Sequence, residues 1–116
     1  MPPTKRNKDD RAWSKAIRNR DDNQCVICGE KKYINAHHLI PIEIKSLRFN
    51  MNNGITLCAK HHKWGNEISP HKNPMAFMVW MEENRPKQLE KIRQFVKNGY
   101  ETRYETRQMA KTSPRD

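Results

Sequence analysis

The sequence predicts a small α+β domain held together by a bound metal ion, and three observations predict it. Only 34% of the 116 residues are hydrophobic while 31% are charged, so apolar burial alone leaves a thin core and some further staple is needed. Cys25-x-x-Cys28 and Cys58-x-x-His61 supply two pairs of metal-binding side chains. Around and between them the hydrophobic pattern passes from helical spacing to a short strand and back to helical spacing.

Taken in order, residues 1–8 read as a flexible basic arm, residues 9–98 as the domain, and residues 99–116 as a polar basic tail. Asp9 and Asp10 are placed to cap a helix running to about Arg20, with Trp13, Ala16 and Ile17 on one face. The two aspartates in its first turn, and Arg18 and Arg20 in its last, suit the helix dipole. Asp21-Asp22-Asn23 ends it. Residues 24–41 read as a hairpin, with Gly29 free to take the positive φ that a Cys-x-x-Cys turn needs. Its strand covers residues 33–39 and is stopped by Pro41. Residues 42–53 read as an irregular loop, because Asn52-Asn53-Gly54 is a strong turn signal. A short helix follows from about Cys58 to Trp64 and ends at Gly65. Residues 75–83 form a helix with Phe77, Trp80 and Met81 on one side, and Pro86 opens another carrying Leu89, Ile92, Phe95 and Val96.

The net charge is +10, from 23 Lys and Arg against 13 Asp and Glu. Such a balance favours phosphate backbones or an anionic membrane surface, a merely solvated surface being the plain alternative. No apolar run is long enough to cross a bilayer, and no hydrophobic signal region follows the basic start. A cytoplasmic protein with no membrane partner is expected. Three cysteines suit a reducing compartment and a metal better than a disulfide framework.

Zinc prefers four soft or borderline ligands in a tetrahedron, and two residues between partners let each pair converge on one ion. Cys25, Cys28, Cys58 and His61 therefore form a candidate structural zinc site, since protein fills all four positions. The plain alternative is three buried free cysteines and a surface histidine. Most sites of this layout carry a fourth cysteine where His61 stands.

Between the zinc pairs lies Ala36-His37-His38-Leu39-Ile40-Pro41, followed fifteen positions after His38 by Asn53, and nine further by His62. Over residues 25–66 this pattern resembles the HNH endonuclease family, whose ββα-metal (His-Me finger) motif grips one divalent ion. The Trp-containing basic helix before it is also like that of family members. The resemblance implies a divalent-metal-dependent endonuclease that hydrolyses DNA phosphodiester bonds. Such hydrolysis needs a base to activate water and positive charge at the phosphate, and a histidine titrates in the right range for the base.

By resemblance His38 is the general base, Asn53 fixes the loop and can hold that base, and His62 is a metal ligand from the short helix. Neighbouring strand residues face opposite sides, so His37 is free to ligate the ion while His38 faces the water. Asn66, four residues beyond His62, is a further candidate ligand, with Gly65 before it able to cut the helix short. His71 reads as a solvent-exposed or structural histidine. The expected catalytic ion is Mg2+ or Mn2+, with Ni2+ or Zn2+ as alternatives.

DNA phosphates would be met by Lys5, Arg6, Lys8, Arg11, Lys15 and Arg18 at the front and by Lys60 and Lys63 beside the active helix. Arg85, Lys87, Lys91 and Arg93 read as a solvated face. No base-reading module is evident, so weak sequence preference, or specificity lent by a partner, is expected. Small free-standing members of the family are frequent in phages, which points to packaging or mobile-element roles and a larger partner such as a phage terminase. The main alternative is a zinc-stapled nucleic-acid-binding module without catalysis. An adaptor working through its C-terminal helices is a third reading.

Overall fold

The computed structural model describes residues 5–99. Its first helix, α1 (Lys8–Arg20), is capped by Asn7 rather than by Asp9 or Asp10. The Asn7 side chain accepts from the backbone N–H groups of Asp9 and Asp10, and the Asp10 carboxylate accepts from the Asn7 N–H at 2.7 Å. This is a reciprocal capping box, so the cap shifts two residues upstream of the expected position. Trp13 and Ile17 are buried as their spacing predicts. The helix stops at Asp21, after which Asp22 and Asn23 both take left-handed backbone angles.

The expected hairpin over residues 24–41 does not form. Instead β1 (Ile34–His38) pairs antiparallel with β2 (Gly54–Cys58), in a register that sets Ile34 opposite Cys58 and His38 opposite Gly54. The segment before β1 folds as a tight turn in which the Gly29 N–H returns to the Cys25 carbonyl at 2.8 Å, with Gly29 at φ +81 as anticipated. That turn docks onto the other edge of β2 through Val26 N–H to the Thr56 carbonyl.

Every residue of β2 is buried, because both faces are covered. Ile55 and Leu57 join the main core with Phe77, Met81 and Leu89. On the opposite face Thr56 donates its N–H to Asp21 and its hydroxyl to the Ile17 carbonyl. Gly54 is required there: a Cβ would strike the Trp13 ring and come within 2.7 Å of Ile17. Helix α1 thus lies tight on one face of the strand pair.

The other face is covered by α2 (Pro74–Asn84) and α3 (Pro86–Lys97), each opened by a proline in its first turn. Phe77 and Met81 of α2, and Leu89 and Ile92 of α3, are buried. Buried Gln88 donates to the Gly54 and Asn52 carbonyls, tying α3 to the entry of β2. The loop between the strands holds two 3-10 turns, Lys45–Leu47 and Met51–Asn53. After β2 the expected helix is a single π-type turn, Lys60–Trp64. Among the described residues no helix is long and apolar enough to cross a membrane. The arm expected over residues 1–8 is described from residue 5, and there it touches the domain: the Lys5 carbonyl accepts from Arg48. Of the expected tail, residues 100–116 lie outside the described residues.

Candidate metal centres and active site

Among the described residues, two clusters of side chains that could hold a metal ion flank the strand pair. The first unites Cys25 and Cys28 from the early turn, Cys58 from the end of β2, and His61 from the π-type turn, with all four ligand atoms within 4.8 Å of one another. Cys28 Sγ lies 3.7 Å from Cys58 Sγ, and His61 Nδ1 lies 3.4 Å from Cys58 Sγ and 3.8 Å from Cys25 Sγ. Ligands about 2.3 Å from a tetrahedral zinc stand roughly 3.8 Å apart, so this Cys3His set can hold a structural ion such as zinc.

The electrostatics of the thiols are uneven. Burial pushes the Cys28 thiol up to about 11, with the neighbouring Cys58 and Cys25 sulfurs acting the same way. At Cys25 burial also acts upward, but backbone N–H groups of Cys28, Cys58 and Ile27 outweigh it and the thiol lies below its ordinary range. Zinc takes its cysteines as thiolates, so loading the site would release thiol protons.

The second cluster unites His37 from β1, His62 from the π-type turn and His71 from the loop before α2, again within 4.8 Å. His37 Nδ1 is 3.0 Å from His62 Nε2, and the His71 ring lies 5.3 and 4.8 Å from the other two rings between centroids. Burial first, and then the neighbouring histidines, pushes His37 down to about 3; burial and then His71 pushes His62 down to about 4. Neutral imidazoles with converging lone pairs are the protonation state that ligates a cation, so the donor set fits a divalent ion.

His71 is exposed, in line with the sequence reading, and a buried serine brings its ring to the other two. Ser69 Oγ donates to the His62 carbonyl at 2.8 Å and accepts the N–H groups of His71 and Lys72. Asn66 lies beyond the π-type turn, not on a helical face with His62. Gly65 closes the π-type turn through its N–H to the Lys60 carbonyl, leaving Asn66 exposed beyond it with its carbonyl bonded by Asn73. The early stop at Gly65 has steric support, since a Cβ there would sit 2.6 Å from the Lys60 carbonyl oxygen.

Strand alternation turns His38 to the opposite face from His37, as expected. It is buried and stacked on Trp13 with ring centroids 3.8 Å apart. Its Nε2 lies 2.8 Å from the Arg48 carbonyl oxygen and its Nδ1 lies 3.3 Å from Arg6 Nη1. A carbonyl only accepts, so Nε2 carries the proton and Nδ1 presents a lone pair towards Arg6. Burial lowers its pKa; the Arg48 carbonyl opposes that and Arg6 reinforces it, so the ring stays neutral at neutral pH.

Asn53 is fully buried and acts on the loop alone. Its Oδ1 accepts from Ile40 N–H, and its Nδ2 donates to the Ile40 and Leu47 carbonyls. The hydrogen bonds to the His38 ring come instead from Arg48 and Arg6, so Asn53 places the loop that carries the Arg48 carbonyl.

Of the basic residues, Arg6, Arg11 and Lys63 line a polar cleft of about 560 Å3 with Ser14, Asn35 and His62. Arg6, His62 and Lys63 also border a larger apolar cleft of about 1020 Å3 that includes His37, His38 and His71. Lys8, Lys15 and Lys60 are exposed, and Arg18 is spent partly on the Ser14 carbonyl. Lys8, Arg11, Lys15 and Arg18 share one face of α1 at i, i+3, i+7 and i+10.

Two antiparallel strands and a turn thus carry two side-chain clusters, one of Cys3His and one of three histidines, that could each hold a metal ion. Residues 25–64 match the family model described as HNH endonuclease. The matched segment spans the four-ligand cluster, both strands, His37, His38, Asn53 and His62, whereas His71 falls outside it. No curated protein and no solved structure matches the chain.

Proposed function

We propose that the protein is a divalent-metal-dependent endonuclease that hydrolyses DNA phosphodiester bonds, with His38 as general base. The observation that carries this is the division of labour across β1. His37 turns to a cluster of neutral imidazoles, while His38 turns away with its Nε2 proton committed to a carbonyl and its Nδ1 lone pair beside Arg6. A base needs an unprotonated nitrogen held in one orientation, and the Arg48 carbonyl holds the ring in that tautomer.

In this reading His37, His62 and His71 hold the catalytic ion, and Cys25, Cys28, Cys58 and His61 hold the structural zinc. These three histidines would hold the ion, which would supply positive charge for the phosphate and the leaving oxygen. Arg6 grips the phosphate next to the base, and Arg11 and Lys63 continue a cationic track along the polar cleft. Once Arg6 turns from Nδ1 to the phosphate, the freed lone pair takes the proton of the attacking water, and burial against Trp13 keeps the ring from being protonated beforehand. Three imidazoles without a carboxylate match Ni2+ or Zn2+ better than Mg2+, which shifts the ion preference away from that expected from resemblance.

The test is nicking of supercoiled plasmid with Mg2+, Mn2+, Ni2+ or Zn2+ added, comparing wild type with His38→Ala shown to be folded and zinc-loaded. Wild type should cleave, and the variant should lose roughly 100- to 10,000-fold of the rate. Binding without cleavage by both proteins, on linear, branched and single-stranded DNA as well, would replace this reading with that of a binding module.

A further inference from the structure

A buried ion pair far from the metal ligands in sequence is left over by this mechanism. Arg48 and Asp10 are 8% and 3% exposed, and the guanidinium meets the carboxylate through two parallel bonds, Nε to Oδ1 at 2.8 Å and Nη2 to Oδ2. The Arg48 side chain thereby holds Asp10 at the head of α1 pulling its carboxyl well below the ordinary range, to about 2. A buried ion pair is weak evidence for stability, so another role is worth seeking.

Three of the bonds that leave these two residues bear on His38, one directly and two through the residues beside Arg6. The Arg48 backbone carbonyl accepts Nε2–H of His38 at 2.8 Å. Arg48 Nη2 also donates to the Lys5 carbonyl at 2.7 Å. The Asp10 carboxylate accepts the Asn7 N–H at 2.7 Å. Lys5 and Asn7 flank Arg6, so one ion pair fixes both sides of the residue whose guanidinium meets His38 Nδ1.

We propose that the Asp10–Arg48 pair is a positioning device that orients His38 through the Arg48 carbonyl and delivers Arg6 to its other nitrogen. This rests on the reading of His38 as the base. Asp10 and Arg48 touch no reacting atom; they join α1, the inter-strand loop and the segment before α1 into one joint around the ring. Arg is needed because its planar fork serves Asp10 and Lys5 together, which an ammonium on a flexible stem does not reproduce.

Full-length, zinc-loaded Arg48→Lys and Asp10→Asn are compared with wild type in plasmid cleavage, using the ion that supports it. His38 tautomers are read separately from ring 15N shifts. Arg48→Lys should lower kcat roughly 10- to 100-fold with little change in KM, the range in which outer positioning groups act. Its zinc content should be retained, and the His38 proton should spread from Nε2 to both nitrogens. Asp10→Asn should do the same where it folds; Arg48→Lys, which keeps the charge, decides if it does not. Full kcat in Arg48→Lys beside an inactive His38→Ala overturns the proposal. So does an unchanged Nε2–H tautomer with a kcat loss that only follows a lower melting temperature. Full activity of His38→Ala would instead remove the base assignment, and the 15N shifts would still report whether the pair sets the ring.

Discussion

The two clusters share the strand pair and the π-type turn, each adding ligands from its own loop, yet they differ in closure. His61 and His62 are neighbours in the π-type turn, one facing each cluster. The Cys3His side has four protein ligands, and a tetrahedral ion held there has no position left for substrate. The three-histidine side offers one ligand fewer and opens on the cleft shared with Arg6 and Lys63. Soft, saturated coordination suits a staple; unsaturated imidazole coordination beside cationic side chains suits chemistry on a phosphate. The difference teaches that one local device, a turn presenting adjacent histidines, can serve stability with one ring and reactivity with the next.

The strongest way to break this comparison is to exchange the expected consequences of losing each cluster. Cys58→Ser should unfold the domain or leave it molten, because structural zinc contributes on the order of 10 kcal/mol or more in small zinc domains and the thin core cannot replace it. Far-UV circular dichroism and zinc content check this. His62→Ala should keep both signals while cleavage falls to background. A folded, zinc-free Cys58→Ser would show that the apolar core around Ile55, Leu57 and Met81 is sufficient.

The parts of this arrangement that could be read from the sequence are those encoded at short range. The Cys-x-x-Cys and Cys-x-x-His pairs are local, so their four residues were recognisable, and helical spacing exposed α1, α2 and α3. Strand β2 was hidden because Gly54, Ile55, Thr56, Leu57 and Cys58 are buried on both faces and show no polar alternation. Its Asn-Asn-Gly prelude, a turn signal, masked where the strand begins. The Asn7 cap was missed because two acidic residues one turn later carry the commoner signature. His71 was illegible for a different reason. Its placement depends on Ser69 bonding the His62 carbonyl, a main-chain contact that no residue spacing announces. The hold on His38 is likewise main-chain, through the Arg48 carbonyl, so the identity of residue 48 gave no hint of it.

That difference in legibility leads to a finer test. His71→Ala should weaken binding of the catalytic ion, with cleavage recovered by raising its concentration, whereas Asn66→Ala should leave ion binding and cleavage as in wild type. Calorimetric titration of the zinc-loaded protein with Ni2+ measures it. Weakened binding in Asn66→Ala and none in His71→Ala would restore the helical fourth-residue ligand and sink the loop histidine.

The smallest expected effect concerns protons at the open cluster. His37 and His62 are held down to about 3 and about 4 in the folded protein, chiefly by burial, against an ordinary value of about 6.5 in an unfolded chain. As pH falls below that ordinary value, the unfolded chain takes up protons that the folded one refuses, so stability is lost from about pH 6.5 downward, towards about 4 for His62 and about 3 for His37. Acid also weakens zinc–thiolate binding in part of this window, and that contribution is common to wild type and His37→Asn. Subtracting the two melting curves without added catalytic ion therefore isolates the histidine contribution. The variant should show the shallower acid loss. Parallel slopes would mean that His37 is solvated, and that the open cluster is not a preformed set of neutral ligands.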